Sequence, residues 1–133
     1  MTLIESIKHH EGFVKEPYPD PFLGWEKPTF GYGFTWISED EAEFLLAQRI
    51  TYFETQLKKK LALWDSLPHN AKDVLIEMAY QLGVGGVLNF KNMLKAMQSS
   101  RWDDAIAEMR DSKWYQQTPK RVEDLIKKLK EME

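Results

Sequence analysis

Residues 7–36 read IKHHEGFVKEPYPDPFLGWEKPTFGYGFTW, and the reading of this stretch decides the fold. Glu11 precedes Gly12, a glycine suited to the left-handed position that ends a helix, so Glu11 falls in a last turn. Downstream, Pro17, Pro19, Pro21 and Pro28 with Gly24, Gly31 and Gly33 exclude a long helix. Tyr, Trp, Phe and Thr fill the intervals, as they do in short strands. The stretch therefore predicts an antiparallel hairpin, with 13–18 and 29–36 as strands and 20–28 as the turn.

Three side chains in this stretch carry chemistry. A carboxylate at the negative end of a helix dipole is disfavoured by roughly 0.3–1 kcal/mol, so the placement of Glu11 marks it as a candidate general acid. Asp20, between Pro19 and Pro21, sits on a stiffened backbone; taken alone it reads as the cap of a turn, since Asp is a preferred turn residue. Two carboxyl groups in different settings are the equipment of glycoside hydrolysis.

Outward from this stretch, the chain reads helical. Thr2 with Glu5 makes a capping box for a first helix over 2–11, whose apolar stripe is Leu3, Ile4 and Ile7. Ser38 with Glu41 opens a second, long helix over 39–60. Its first turn is acidic and Lys58, Lys59 and Lys60 close it, matching the dipole at both ends. Leu46, Ile50, Phe53 and Leu57 give it a narrow apolar stripe. After a connector, with Pro68 at a helix entry, Val74, Leu75, Met78 and Leu82 mark a core helix that Gly83 stops. Gly85 and Gly86 break the chain; short helices follow, and Thr118-Pro119 opens a last one over 119–131. Trp64, Trp102 and Trp114 read as core or edge packing.

Composition bounds the classes. The 133 residues, 43% hydrophobic and 29% charged, fit one globular domain with its own core. There is no cysteine, hence no disulfide framework and no thiolate metal site. The N-terminus MTLIESIKHHEG lacks a basic start followed by an apolar run, so no signal peptide is expected, and no run has the length of a membrane span. Residues 1–44 hold nine acids and three lysines, the rest 15 basic and 12 acidic residues. That is too sparse a basic face for nucleic acid. No metal cluster or phosphate loop is present, and no cofactor is expected.

The ordered motifs resemble the phage-type, bacteriophage T4-like lysozymes. The likeness rests on Glu11-Gly12, Tyr18-Pro19-Asp20, Thr29-Phe30-Gly31-Tyr32-Gly33 and Asp40-Glu41-Ala42-Glu43 in the first part of the chain. It continues through Tyr80-Gln81-Leu82-Gly83, Asn89-Phe90-Lys91-Asn92, Arg101-Trp102-Asp103 and Trp114 to Arg121, and so covers nearly the whole chain. Each motif is weak alone; their order is specific. Three departures stand out. The interval from Asp20 to Thr29 is longer than usual, Phe34 replaces the His that normally follows the second glycine, and the chain reads as trimmed, with the sheet running almost straight into the long helix at Ser38 and no helix after Glu133.

The resemblance implies an α+β, mainly helical, two-lobed fold in one lysozyme-like domain, 1–133. A small sheet lobe at 13–37 and a connecting helix at 39–60 would join a helical lobe at 61–133, to which the first helix, 2–11, belongs. It implies a compact muramidase cutting the β-1,4 bond between N-acetylmuramic acid and N-acetylglucosamine in peptidoglycan, with inversion. Glu11 would be the general acid, Asp20 would stay ionised to stabilise the transition state, and Thr29 would position water. Gly33, Tyr80, Gln81 and Phe90 would contact the glycan in a cleft between the lobes, with Phe34 and Arg121 in support, Arg121 near Glu11. For Tyr80 and Phe90 core packing competes, whereas Gln81, polar on a core helix, calls for a partner. The expected partner is the glycan strand, bound by a monomer without nucleic acid or stable membrane attachment. Synthesis in the bacterial cytoplasm would leave delivery to the periplasmic wall to a membrane-permeabilising protein or a particle. Two other readings stay open: a lytic transglycosylase using Glu11 alone, and a non-catalytic glycan-binding or virion module.

Overall fold

A computed structural model describes residues 1–131. By internal contacts it divides into two units, Met1–Leu45 and the chain from Leu46 onward. The architecture is α+β and mainly helical, with seven α-helices and one two-stranded antiparallel sheet among the described residues.

In the first unit, α1 (Leu3–Glu11) starts with both bonds of its capping box. The Glu5 N–H donates to Thr2 Oγ1 at 3.1 Å and the Thr2 N–H to Glu5 Oε2 at 3.0 Å. Gly12 ends it at φ 70°, ψ 154°, more extended than the expected left-handed turn and in a region essentially reserved for glycine. No residue of α1 is buried.

The hairpin differs from the expected one. Strand β1 is Val14–Asp20 and β2 is Gly24–Gly31, so the turn expected over 20–28 closes within 21–23. Asp20 makes it tight: its Oδ1 accepts the N–H groups of Phe22 and Leu23 at 2.8 and 2.9 Å, and Gly24 follows at φ 60°. Pro28 is tolerated in β2 because a two-stranded sheet leaves each strand an open edge. Tyr18 pairs with Thr29 and Asp20 with Gly24, so two steps along β1 face five along β2. The extra length between Asp20 and Thr29 thus becomes an irregularity in β2.

The second strand also stops short of the expected 29–36. Gly31 and Gly33, at φ 60° and 79°, turn the chain back, and Phe30 and Phe34 exchange backbone hydrogen bonds at 2.9 and 2.8 Å. A longer strand has no room for two positive φ angles.

Helix α2 (Glu39–Lys60) spans the unit boundary and, at 22 residues, is ~33 Å long. Its capping box forms as predicted, Glu41 N–H to Ser38 Oγ at 3.2 Å and Ser38 N–H to Glu41 Oε1 at 3.0 Å. Of its stripe, Leu57 is buried and Phe53 packs on the core, while Leu46 and Ile50 stay exposed.

The second unit holds the hydrophobic core. After a 3₁₀ turn at Trp64–Ser66 come α3 (His69–Leu88), α4 (Lys91–Gln98), α5 (Trp102–Arg110), α6 (Lys113–Gln117) and α7 (Pro119–Lys130). Pro68 caps α3 from just outside it, one place earlier than a first-turn proline. Val74, Leu75 and Met78 are fully buried, as the stripe predicts, with Leu82 packed against them. Gly83, at φ 79° and ψ 161°, kinks α3 where the stop was expected. Gly85 and Gly86 do not break the chain: helix resumes through them to Leu88. Trp64 and Trp114 are buried and Trp102 packs at the edge of the core. No helix among the described residues is long and apolar enough to cross a membrane.

Candidate active site

In the first unit the end of α1 meets the Gly31–Gly33 turn. A β-carbon on Gly33 would lie 2.6 Å from Glu11 Oε2, so the carboxyl group rests directly against the glycine backbone. Tyr32 pins the same junction. Its ring stacks obliquely on Phe13 at 5.6 Å and receives Lys8 Nζ at 5.6 Å from its centroid. Tyr32 and Lys8 are the residues the sequence reading missed here. Lys8 had a local signal, its i, i+3 spacing from Glu11 on one helix face, whereas Tyr32 had none.

Phe34 lies edge to face with Phe30 at 5.9 Å between ring centroids, and a β-carbon on Gly31 would meet its ring at 2.7 Å. Both glycines therefore admit a side chain that anything larger would displace.

Asp20 fills its turn-capping role, and the same contacts set its charge. The Leu23 N–H, then the Phe22 N–H, hold its carboxyl below the ordinary carboxylate value, with Lys27 adding attraction. Only Oδ1 accepts those two bonds. Thr29, opposite Tyr18, is the one buried polar residue described. Its hydroxyl donates to the Lys27 carbonyl at 3.4 Å, a stretched bond.

The second unit gathers a different group. Gln81 is committed at both ends: its Oε1 accepts the Trp114 indole N–H at 2.9 Å, and its Nε2 donates to Thr118 Oγ1 at 3.2 Å. Phe90 meets Trp114 edge to face at 5.8 Å. Tyr80 is half exposed, with its ring against Phe53 at 6.1 Å. Arg121 has a partner in its own unit, donating from Nε to Glu77 Oε2 at 3.2 Å. Trp114, Thr118 and Glu77 carry no local signal for these contacts, being 33 to 44 residues from their partners. Beside Phe90, a cavity of about 430 Å³ is lined by Asn89, Lys91, Asn92, Glu108 and Asp111 among others. No group of His, Asp or Glu among the described residues is placed to hold a metal.

The chain is similar to several known proteins. Over 89 residues, 65% of the chain, the sequence is 36% identical to the pre-baseplate central spike protein Gp5 of Enterobacteria phage T4, covering 16% of that protein. Over 93 residues, 68% of the chain, it is 31% identical to probable T4-type lysozyme 1 of Dictyostelium discoideum, covering 55% of it. Over 55 residues, 41% of the chain, it is 40% identical to peptidoglycan hydrolase gp36 of Pseudomonas phage phiKMV, covering 6% of it. The chain thus spans about half or less of the length of these relatives. The phage lysozyme family model matches residues 8–131, from the turn before Glu11 to the end of α7, and the chain belongs to that family.

Proposed function

We propose that the chain hydrolyses peptidoglycan as a muramidase, cleaving the β-1,4 bond between N-acetylmuramic acid and N-acetylglucosamine. Glu11 is the general acid that protonates the leaving oxygen. Asp20 is the ionised partner that stabilises the oxocarbenium-like transition state or orients the attacking water. Thr29 helps to hold that water, and its stretched bond to the Lys27 carbonyl leaves the hydroxyl easy to redirect. The observation that carries the reading is the contrast in setting of two carboxyl groups, Asp20 bound through Oδ1 to the N–H groups of its own turn and Glu11 set against the bare backbone of Gly33. Supporting names among the relatives are the T4-type lysozyme and the peptidoglycan hydrolase.

Gly33 presents bare backbone beside Glu11 for the glycan to contact, with no side chain between them. Tyr80 and Phe90 supply apolar contact and Gln81 a fixed amide with one N–H to spare. Arg121 and Phe34 are supporting residues. Together the units act as one lysozyme domain, a monomer that needs no cofactor and depends on a separate agent to reach the wall.

The test adds the purified protein, Glu11→Gln and Asp20→Asn to Gram-negative cells stripped of their outer membrane and follows turbidity. Glu11→Gln should lose on the order of 10²–10⁴ in rate, the share of a positioned proton donor. Equal clearing by wild type and Glu11→Gln, or clearing by neither, sinks the assignment. Full activity in Asp20→Asn, with anhydro-sugar products, identifies a transglycosylase instead. The likeness to a spike protein supports a second reading, a lysozyme-like module in a virion part. An inactive wild type that still binds glycan would favour it.

A further inference from the structure

We propose that the irregular loop opening β2 is an aromatic subsite, in which Phe22 and Trp25 stack on the glycan strand beside Asp20; the proposal rests on the muramidase reading above. Residues 21–25 read Pro-Phe-Leu-Gly-Trp, an apolar run in the middle of an acidic unit. Phe22 is 94% exposed and contributes almost nothing to packing, and Trp25, at 66%, leaves most of its surface to solvent. Scattered exposed apolar residues are ordinary, but a run of them at one tip marks an interaction surface.

The ladder explains why the run stands out. Between Asp20–Gly24 and Tyr18–Thr29, β2 spends five steps where β1 spends two, so Trp25 to Pro28 cannot all pair across the sheet. The base of the loop is rigid, because the Phe22 and Leu23 N–H groups are bound to Asp20 Oδ1. Trp25 follows Gly24, the cross-strand partner of Asp20. Its Cα therefore lies within ~9 Å of that of Asp20, one cross-strand and one chain step. A polymer held at Asp20 reaches this distance within a sugar unit or two.

The neighbouring charges choose the occupant. Along the chain the run is flanked by Glu16, Asp20 and Glu26 against Lys15 and Lys27, a net negative balance. An anionic lipid surface is repelled by that set. A sugar ring is suited to it, with apolar C–H faces for the aromatic rings and hydroxyl edges for the carboxylates.

The experiment uses the full chain. In a Glu11→Gln background, Phe22→Ala/Trp25→Ala should weaken co-sedimentation with purified peptidoglycan roughly tenfold, the worth of two aromatic contacts. In the active chain the same pair should raise KM by a similar factor with kcat within about twofold, and Trp25→Phe should restore most of the loss. Circular dichroism checks that the variants fold. Unchanged affinity and KM overturn the subsite. So does a kcat loss without a KM change, which would mean that the loop only supports Asp20. Partitioning onto phosphatidylglycerol vesicles that the double variant abolishes, with glycan binding intact, assigns the tip to membranes instead. A wild type that neither binds nor cuts peptidoglycan overturns the muramidase reading together with the subsite, whereas one that cuts it and is indifferent to the double variant overturns the subsite alone.

Discussion

From Leu46 onward, Leu57, Leu75, Met78 and Met93 are removed from solvent, whereas in residues 1–45 Thr29 is the one buried side chain among those described. The two units are held by different physics. The helical unit follows the hydrophobic effect: its helices present apolar stripes to a common core. The hairpin unit relies on short-range devices, including a capping box, a carboxylate that ties its own turn, two glycines at positive φ and a cation over a tyrosine ring. Every candidate for the chemical step lies in the second kind of structure. A site made from turns can place a carboxyl group against bare backbone, which a packed core cannot do without burying the charge.

Stability measurements should divide along the same line. Leu75→Ala empties a fully buried position and should cost about 2–5 kcal/mol in urea unfolding. Leu3→Ala removes a side chain that is 76% exposed and should stay within about 0.5 kcal/mol. Equal costs would break the comparison, because they would mean that α1 is held by packing as the core helices are.

A matched pair of glycines sharpens it further. Gly33 and Gly83 share φ 79°, one in each unit. An alanine at either should cost about 1–3 kcal/mol of backbone strain. A β-carbon at Gly83 has nothing within 4 Å, while one at Gly33 strikes Glu11 Oε2. Gly33→Ala should therefore also reduce the lytic rate by about 10²-fold through a displaced carboxyl group, with Gly83→Ala keeping most of it. Equal rates in the two variants would detach the Gly31–Gly33 turn from the chemistry.

How far the sequence could be read follows from the same division. Both capping boxes were legible because all their atoms lie within four residues, and Thr2–Glu5 and Ser38–Glu41 each form both bonds. The stripe Val74, Leu75, Met78 was legible because burial repeats with the helix. Hairpin register was not. It depends on which backbone N–H groups Asp20 captures and on where β2 sheds its extra residues, and alternation of residue types encodes neither. Gly85 and Gly86 misled because packing holds a helix through residues whose own propensity opposes it. Around the candidate site, Glu11 before a stopping glycine was visible locally. The partners of Gln81 and Arg121 were not, since Trp114, Thr118 and Glu77 meet them only after the helices of the second unit have packed.

The smallest effect expected is electrostatic and belongs to the helical unit. Glu123 accepts two bonds from Arg110, at 2.9 Å each, and the Tyr115 hydroxyl lies within reach of the same carboxylate. Arg110 first, then Tyr115, pulls the pKa of Glu123 from the ordinary 4.5 to about 2. A carboxyl group with a depressed folded pKa stabilises the fold above its unfolded pKa. That contribution is lost as pH falls through the folded value. Wild type and Glu123→Gln should thus differ in Tm by a constant amount above about pH 5 and converge between there and about pH 2. Solvent screening keeps the difference small, since both partners are more than a third exposed. The hairpin holds a second depressed carboxylate, Asp20, in its own turn. Asp20→Asn should show a difference of the same sign, also lost as pH falls below the ordinary carboxylate range. If only one of the two variants shows that convergence, electrostatic ties hold just that unit, and acid melting would identify which one.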